Sequence, residues 1–340
     1  MTKNNRKTLF FFLTNLVFLF INAQSHSIGG YTDYEVTDNS KITFTIHRQK
    51  WQAGNFDYRD TQGLKLYIFI GNTKNEVYPT YKKFQYPQHK CKTNSSTYPF
   101  SYYVGKYLEI IYQYTLDISK KPFDSLIKSQ PIVRIFTQTA DKTDMVYTSN
   151  LIYEPYHAWS AEINTKMMVK GDKSVSFNNL NQTVFTRNQA IYSNPGIVYN
   201  PKDSVFTELV PMETDIWGTS VMLKANFSYK YPFTCYCPTG GNACTPKPNN
   251  KNKPIGFHCD PITGAITFFS NSKPTIPYDY EGAPLVFRTS WYSKDASGNW
   301  QFKGSITVLS MMFNFDDTKQ SSRDIPNFEV PSRVDICEGD

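Results

Sequence analysis

Charge, histidine and helical periodicity are all in short supply in this 340-residue chain, and each shortage closes off a class of protein. Charged residues make up 19% of it and the formal net charge is +7. Three of the positive charges, Lys3, Arg6 and Lys7, lie in the first 23 residues, which carry no acid. Without that segment, 33 of the 36 Lys and Arg remain against 29 Asp and Glu. A surplus of four over such a length does not hold nucleic acid by its phosphates. The one lysine cluster, KPNNKNKP from Lys247 to Pro254, reads as a solvated loop. Five histidines leave few candidates for acid–base chemistry. Gly-x-Ser-x-Gly, His-Glu-x-x-His and a cysteine–histidine nucleophile context are all missing, which makes a hydrolase the least supported class. Acid pairs for glycoside hydrolysis depend on spacing in three dimensions and stay open. Beyond the N-terminus there is no long apolar run, so no membrane span is expected in the mature chain. No stretch there has strong helical spacing either.

What is present begins with MTKNNRKTLFFFLTNLVFLFINAQS: a basic start, an almost wholly apolar run over residues 8–21, and small Ala23 at a cleavage point. That is the layout of a secretory signal peptide, residues 1–23, and it places the protein outside the cell, secreted or as the ectodomain of a longer surface protein. Six cysteines in an exported chain are read as disulfide formers. Four cluster at Cys235, Cys237, Cys244 and Cys259, with His258 beside them. Zinc is the competing reading, but thiolate zinc sites belong mainly to reducing compartments. Cys235 and Cys237 are too close to favour each other, so cross pairs with Cys244 and Cys259 are expected. Cys91 and Cys337 pair with each other, or Cys337 awaits a partner beyond the chain. Asn94, Asn181 and Asn226 head N-x-S/T sequons and are expected to be glycosylated.

Short runs rich in Tyr, Phe, Thr, Val and Ile alternate with Asn, Asp, Gly, Pro and Ser. Residues 41–47, 64–71, 107–116, 131–138 and 305–315 all read as strands. The expectation is an all-β protein of tandem β-sandwiches, an N-terminal β-rich domain over 28–195 and a second domain over 202–317. The boundary is placed in SNPGIVYNPKDS (193–204), where turn-forming residues crowd and no apolar periodicity crosses. The many aromatics suit half-buried strands and are read as core rather than as a ligand platform. In DPITGAITFF (260–269), Asp260, Pro261 and Gly264 specify a tight turn leading into a strand.

The second half of the chain resembles a cadherin repeat. Gly218-Thr-Ser-Val leads a strand, the Asp260-x-x-Thr-Gly-x-Ile turn and strand follow, then the Asp279-x-Glu281 pair, then a last strand ending in Asn314-Phe-Asp316-Asp317. The likeness covers residues 202–317, about a third of the chain, and residues 318–340 look like a linker and the start of a further repeat. The resemblance implies a seven-stranded Greek-key sandwich with calcium between repeats, a hard cation that takes six to eight oxygens. By position, Glu213, Asp279, Glu281, Asn314, Asp316 and Asp317 would be its ligands. The segment KANFSY lacks the family's carboxylate, so only the junction after the repeat is expected to hold calcium, as a weak or partial site. Trp217 reads as a packed aromatic, or as an anchor for a partner if it faces solvent.

The resemblance implies calcium-dependent cell adhesion, or extracellular protein binding with a partner that includes a second copy of the chain, and no catalysis. The alternative is an exported β-sandwich that binds carbohydrate or matrix without calcium. Adhesion requires Glu213, Asp279, Glu281 and Asp317 to converge; sugar binding requires exposed aromatics beside polar donors.

Overall fold

Apolar residues at every second position build most of the strands. In the computed structural model, residues 27–51, 64–85, 107–142, 150–152, 156–180, 184–241, 243–250, 253–271 and 280–315 are described. The strands are β1 (Ser27–Asp38), β2 (Lys41–Trp51), β3 (Leu64–Ile70), β4 (Thr73–Val77), β5 (Thr80–Gln85), β6 (Tyr107–Asp117), β7 (Ile132–Lys142), β8 (Tyr156–Asn164) and β9 (Ser176–Phe177). They continue with β10 (Val184–Thr186), β11 (Ala190–Ser193), β12 (Ile197–Val198), β13 (Ser204–Leu209), β14 (His258–Cys259), β15 (Ile266–Phe269), β16 (Tyr280–Lys294) and β17 (Trp300–Phe315). A single short α-helix is described, α1 (Phe123–Ser129). The protein is all-β, as its composition predicts. The runs read as strands from sequence fall on β2, β3, β6, β7 and β17. Among the described residues no helix is long and apolar enough to cross a membrane.

One large sheet runs β4-β3-β7-β8-β17-β1-β2-β6-β5, with β16 and β13 branching from β17 and β10 joining it in parallel. All its other pairings are antiparallel. The sheet curls until its two wings share one core. Ile42, Phe44 and Ile46 of β2, Ile110 of β6, Leu66 and Ile68 of β3 and Val133 and Ile135 of β7 are fully buried in that cluster. The closure is visible in one contact. Trp159 of β8 donates from Nε1 to Thr32 Oγ1 of β1 at 3.0 Å, and Thr32 Oγ1 lies 3.1 Å from Thr137 Oγ1 of β7. Gly30 of β1 makes this approach possible, because a Cβ there would lie 2.6 Å from the Trp159 ring.

Here the chain departs from the expected pair of consecutive sandwiches. β17 comes from the expected second domain, yet it pairs with β8 through Gly304–Ile163 to Ile306–Ala161 and with β1 through Gly29–Ser310 and Gly30–Leu309. β13 pairs with β16 from Ser204–Tyr292 to Leu209–Phe287. The β17 pairings with β8 and β1 therefore cross the boundary placed at 193–204, whereas β13 and β16 both belong to the expected second domain. Turn-forming residues there mark a change of direction, not the end of a hydrogen-bonded unit.

A smaller sheet, β11-β15-β14, lies in a lobe with its own aromatic cluster: Phe185, Phe233, Phe257 and Phe268, with Cys235 and Ile266. The turn before β15 forms as its sequence predicts. Asp260 Oδ1 accepts from the Ile262 and Thr263 amides at 3.0 and 2.7 Å, Gly264 N donates to the Asp260 carbonyl at 2.9 Å, and Gly264 takes φ +69°.

Candidate functional site: a polar cleft beside a buried histidine

Period two puts one set of β1 and β2 side chains in the core and the other outside. The outward set is polar: Asp33, Glu35 and Thr37 on β1, Thr43 and Thr45 on β2, joined by Gln113 of β6. These strands form one wall of an open cleft of about 860 Å³. Two other segments complete it. Beyond Gly30 the edge of β1 is taken by residues 171–174: Gly171 N donates to Val36 O, Val36 N to Asp172 O, and Ser174 N to Tyr34 O, at 2.8–2.9 Å. Opposite, Val198, Tyr199, Asn200 and Pro201 form the lip. Tyr199 is 39% exposed there.

A bulge supplies the cleft's buried cation. Trp291 pairs with Gly304 but Tyr292 pairs with Phe302, so Lys303 has no residue opposite on β16. Bulges re-aim the side chain they carry. Lys303 Nζ reaches Asp172 Oδ1 at 3.2 Å and Asp203 Oδ2 at 3.7 Å, and Asp203 accepts from Ser293 Oγ. All three side chains are nearly buried, and the lysine sits between the two acids. Tyr34, in the cleft wall, has its pKa raised well above the usual phenol value by burial, with Asp172 and Asp203 adding to the rise. It stays a neutral phenol.

Asp33 joins the cleft to a relay inside β2. Its Oδ2 lies 3.3 Å from His47 Nε2. On the other side of the ring, His47 Nδ1 is 2.8 Å from Glu109 Oε1, whose Oε2 accepts from Gln85 Nε2 at 2.6 Å. Tyr31 stacks flat on the imidazole, centroids 4.3 Å apart. Burial alone would lower the histidine pKa, but the hydrogen bonds and charges of Asp33 and Glu109 outweigh it and push it up to about 9. Burial likewise works against ionised Glu109, and the His47 contact wins, lowering its pKa. At neutral pH His47 is an imidazolium between the Asp33 and Glu109 side chains, and its charge draws Asp33 toward this edge of the cleft.

The residues expected to hold calcium are not assembled as the resemblance implied. Glu213 accepts from Arg134 Nη2 of β7 at 2.6 Å and lines a separate pocket of about 280 Å³ with Glu162, Ser305 and Arg288. Glu281 and Asn314 are register partners on β16 and β17. Asn314 lies nine residues along β17 from Ser305, about 30 Å of extended strand. Asp279, Asp316 and Asp317 lie outside the described residues. Among the described residues no three His, Cys, Asp or Glu side chains gather to hold a metal ion. Trp217 is 79% exposed, with Lys74 Nζ 5.6 Å from its ring; it is not a packed core aromatic. Asn226 is exposed with φ +72°, whereas Asn94 and Asn181 lie outside the described residues, as do residues 1–23 and 318–340, Cys91 and Cys337. Cys235, Cys237, Cys244 and Cys259 are thiols here.

The cleft falls in the part of the chain where sequence alone shows no chemical motif. Its signal was present as alternation: Asp33-x-Glu35-x-Thr37 and Thr43-x-Thr45-x-His47 put polar groups on one face of paired strands. Nothing local says that residues 171–176 and 198–201 roof that face. No protein-family model matches the chain, and no curated protein matches it. The class is therefore defined by architecture and site: a curled all-β protein with a polar, acid-bordered cleft.

Proposed function

We infer that the protein is an extracellular binding protein whose cleft takes a neutral or amino sugar. The observation that carries this reading is the lining. Carboxylates, threonine and serine hydroxyls, Gln113 and Asn200 offer mixed donors and acceptors at close spacing, and the half-exposed ring of Tyr199 stands at the lip. Sugar hydroxyls both donate and accept, and their C–H faces pack on aromatic rings. The acids argue against an anionic ligand, since Asp33, Glu35 and Asp172 face the same space as Lys173 and Lys303. Pre-ordered polar groups lower the entropic cost of binding, and the His47 relay and the Lys303 bulge supply that order. This is the calcium-independent alternative to adhesion. The pairing of Glu213 with Arg134 favours this alternative over the adhesion reading.

Calorimetric titration with glucose, galactose, mannose, N-acetylglucosamine and their β-linked disaccharides tests the reading. A saturable signal for at least one sugar is expected, weakened about tenfold or more by Tyr199→Ala, in line with loss of a ring contact, and weakened also by Asp33→Asn. Binding that ignores both substitutions, or no binding to any of these sugars, would overturn it. Chelator is expected to leave the titration unchanged.

A further inference from the structure

The cysteine cluster has a feature that the sugar reading does not use. Four cysteines at 235, 237, 244 and 259 leave several pairings open, and the fold separates them into unlike environments. Cys235 is 1% exposed among Phe233, Phe257 and Phe268. Cys259 packs against main chain, its Sγ 3.9 Å from the carbonyls of Asp260 and Gly264, and burial with the nearby Asp260 charge pushes its thiol up to about 12. Cys237 and Cys244 are different: Cys237 Sγ lies against the Thr239 hydroxyl, Cys244 Sγ against the Tyr236 carbonyl one residue before Cys237, and each shifts the other's ionisation.

Backbone geometry brings these two together. The Tyr236 carbonyl accepts from Gly256 N at 2.9 Å and from Cys244 Sγ at 3.9 Å, which seats Cys244 beside the segment carrying Cys237. Gly256 allows that approach, since a Cβ there would lie 3.0 Å from the Cys244 carbonyl. A turn closes behind Cys237, with Gly240 N donating to its carbonyl at 3.0 Å. Thr239 Oγ1 lies 3.3 Å from Cys237 Sγ, a hydroxyl placed to stabilise a thiolate. The two sulfurs are also unequal. Burial works against ionising Cys237, but the hydrogen bonds from Cys244 and Thr239 prevail and lower its pKa. Burial, then its contact with Cys237, push Cys244 up to about 11.

We propose that Cys237 and Cys244 are a redox pair that closes the segment CPTGGNAC as an intramolecular disulfide, with Cys237 as the attacking sulfur. The oxidant is a disulfide, such as the exchange donors of a secretory compartment. Cys237 thiolate attacks one sulfur of that disulfide, forms a mixed disulfide and releases one thiolate. Cys244 gives its proton to water and attacks Cys237 Sγ, forming the intramolecular bond and releasing the second thiolate. Two protons and two electrons leave the pair, and one external disulfide becomes two thiols. The closed loop pins the segment above the aromatic cluster, next to Tyr236, whose ring lies under Lys253 Nζ at 3.8 Å.

The test uses the full chain, reduced, then exposed to oxidised glutathione, alkylated without reductant and cut with chymotrypsin. Cleavage after Tyr236 separates Cys235 from Cys237. The expected peptide, starting at Cys237 and containing Cys244, is lighter by two hydrogen atoms and takes no alkyl group; after reduction it takes two. Two alkylated cysteines in that peptide after oxidation, or a link from either one to Cys235 or Cys259, would overturn the pairing. Cys244→Ser and Cys237→Ser then test the order of attack, read by mass under native conditions. Cys244→Ser is expected to trap glutathione on Cys237, while Cys237→Ser leaves Cys244 largely unmodified. Equal trapping in both variants would overturn the assignment of Cys237 as the nucleophile.

Discussion

The large sheet and the aromatic lobe bury comparable side chains by different means. In the sheet, Ile, Val, Leu and Phe sit on strands whose backbones are paired in long registers: eleven consecutive residue pairs join β2 to β6, and β16 to β17 run together from Tyr280 to Lys294. In the lobe the strands are two to four residues long, and stacked phenylalanines are held by turns, isolated bridges and nearby cysteines. Phe233 stacks on Phe268 with ring centroids 6.0 Å apart, and Phe185 meets both edge-on at 5.1 Å. Where backbone pairing is long, a core side chain is supported by neighbours on several strands. Where it is short, the side chains themselves hold the chain path, so loss of one ring is felt as local opening.

Substitution of one buried ring in each region is the largest way to break this contrast. Phe44→Ala and Phe233→Ala each remove a fully buried phenylalanine and should each cost about 3–5 kcal/mol where the whole fold is measured. The expected difference lies in hydrogen exchange. Phe44→Ala lowers protection across β1, β2 and β6 together, whereas Phe233→Ala speeds exchange in residues 233–270 and leaves the large sheet protected. Uniform loss of protection in both variants would erase the distinction.

Lys303→Met probes the bulge that joins the sheet to its cleft. It leaves Asp172 and Asp203 facing each other without their cation, a loss of about 3 kcal/mol, measurable by urea unfolding.

His47 gives a pH signature that the lobe lacks. Its folded pKa, about 9, lies above its ordinary 6.5. The stabilisation is therefore fully present below about pH 6.5 and is lost as pH rises through 9, for a total of about 3 kcal/mol. Glu109 has a lowered pKa, so its contribution is present above the ordinary carboxylate range and disappears as pH falls. Melting temperature should decline on the alkaline side in the wild-type chain, and His47→Gln should flatten that limb.

The smallest effect expected is that of Glu213→Gln. Its partner Arg134 is about a third exposed, as is Glu213 itself, so the loss should stay below about 1 kcal/mol. Thermal melts with calcium and with chelator should show the same small loss; a loss seen only with calcium would restore Glu213 as a ligand.

Much of the large sheet could be read from residue alternation, because period-two patterning is a local property and β2, β3, β6 and β7 obey it. The turn at Asp260 was equally legible, since Asp, Pro and Gly each contribute a known backbone preference within five residues. Pairing order was not. Nothing in β17 states that its neighbours are β8 and β1, and a domain boundary inferred from turn-rich composition cannot register a strand that returns from the far side. The polar face that lines the cleft was visible as Asp33, Glu35, Thr43 and Thr45, but as a solvent face; only the fold shows which solvent face is roofed. Lys303 gave no signal at all, because a bulge is defined by two strands at once. The resemblance to a cadherin repeat found the acids and the turn in order along the chain, and order along a chain carries no information about which acid meets an arginine.

The pairing of β1 with β17 has a consequence for how the protein is made. Gly29 meets Ser310 across roughly 280 intervening positions, a closure among the slowest that chain topology can ask for. While a ribosome is still emitting residues 30–300, β1 and β8 keep exposed amide and carbonyl edges of the kind that recruit other chains. A copy truncated before Trp300 would leave these strands without β17 and is expected to precipitate instead of accumulating as a smaller folded unit.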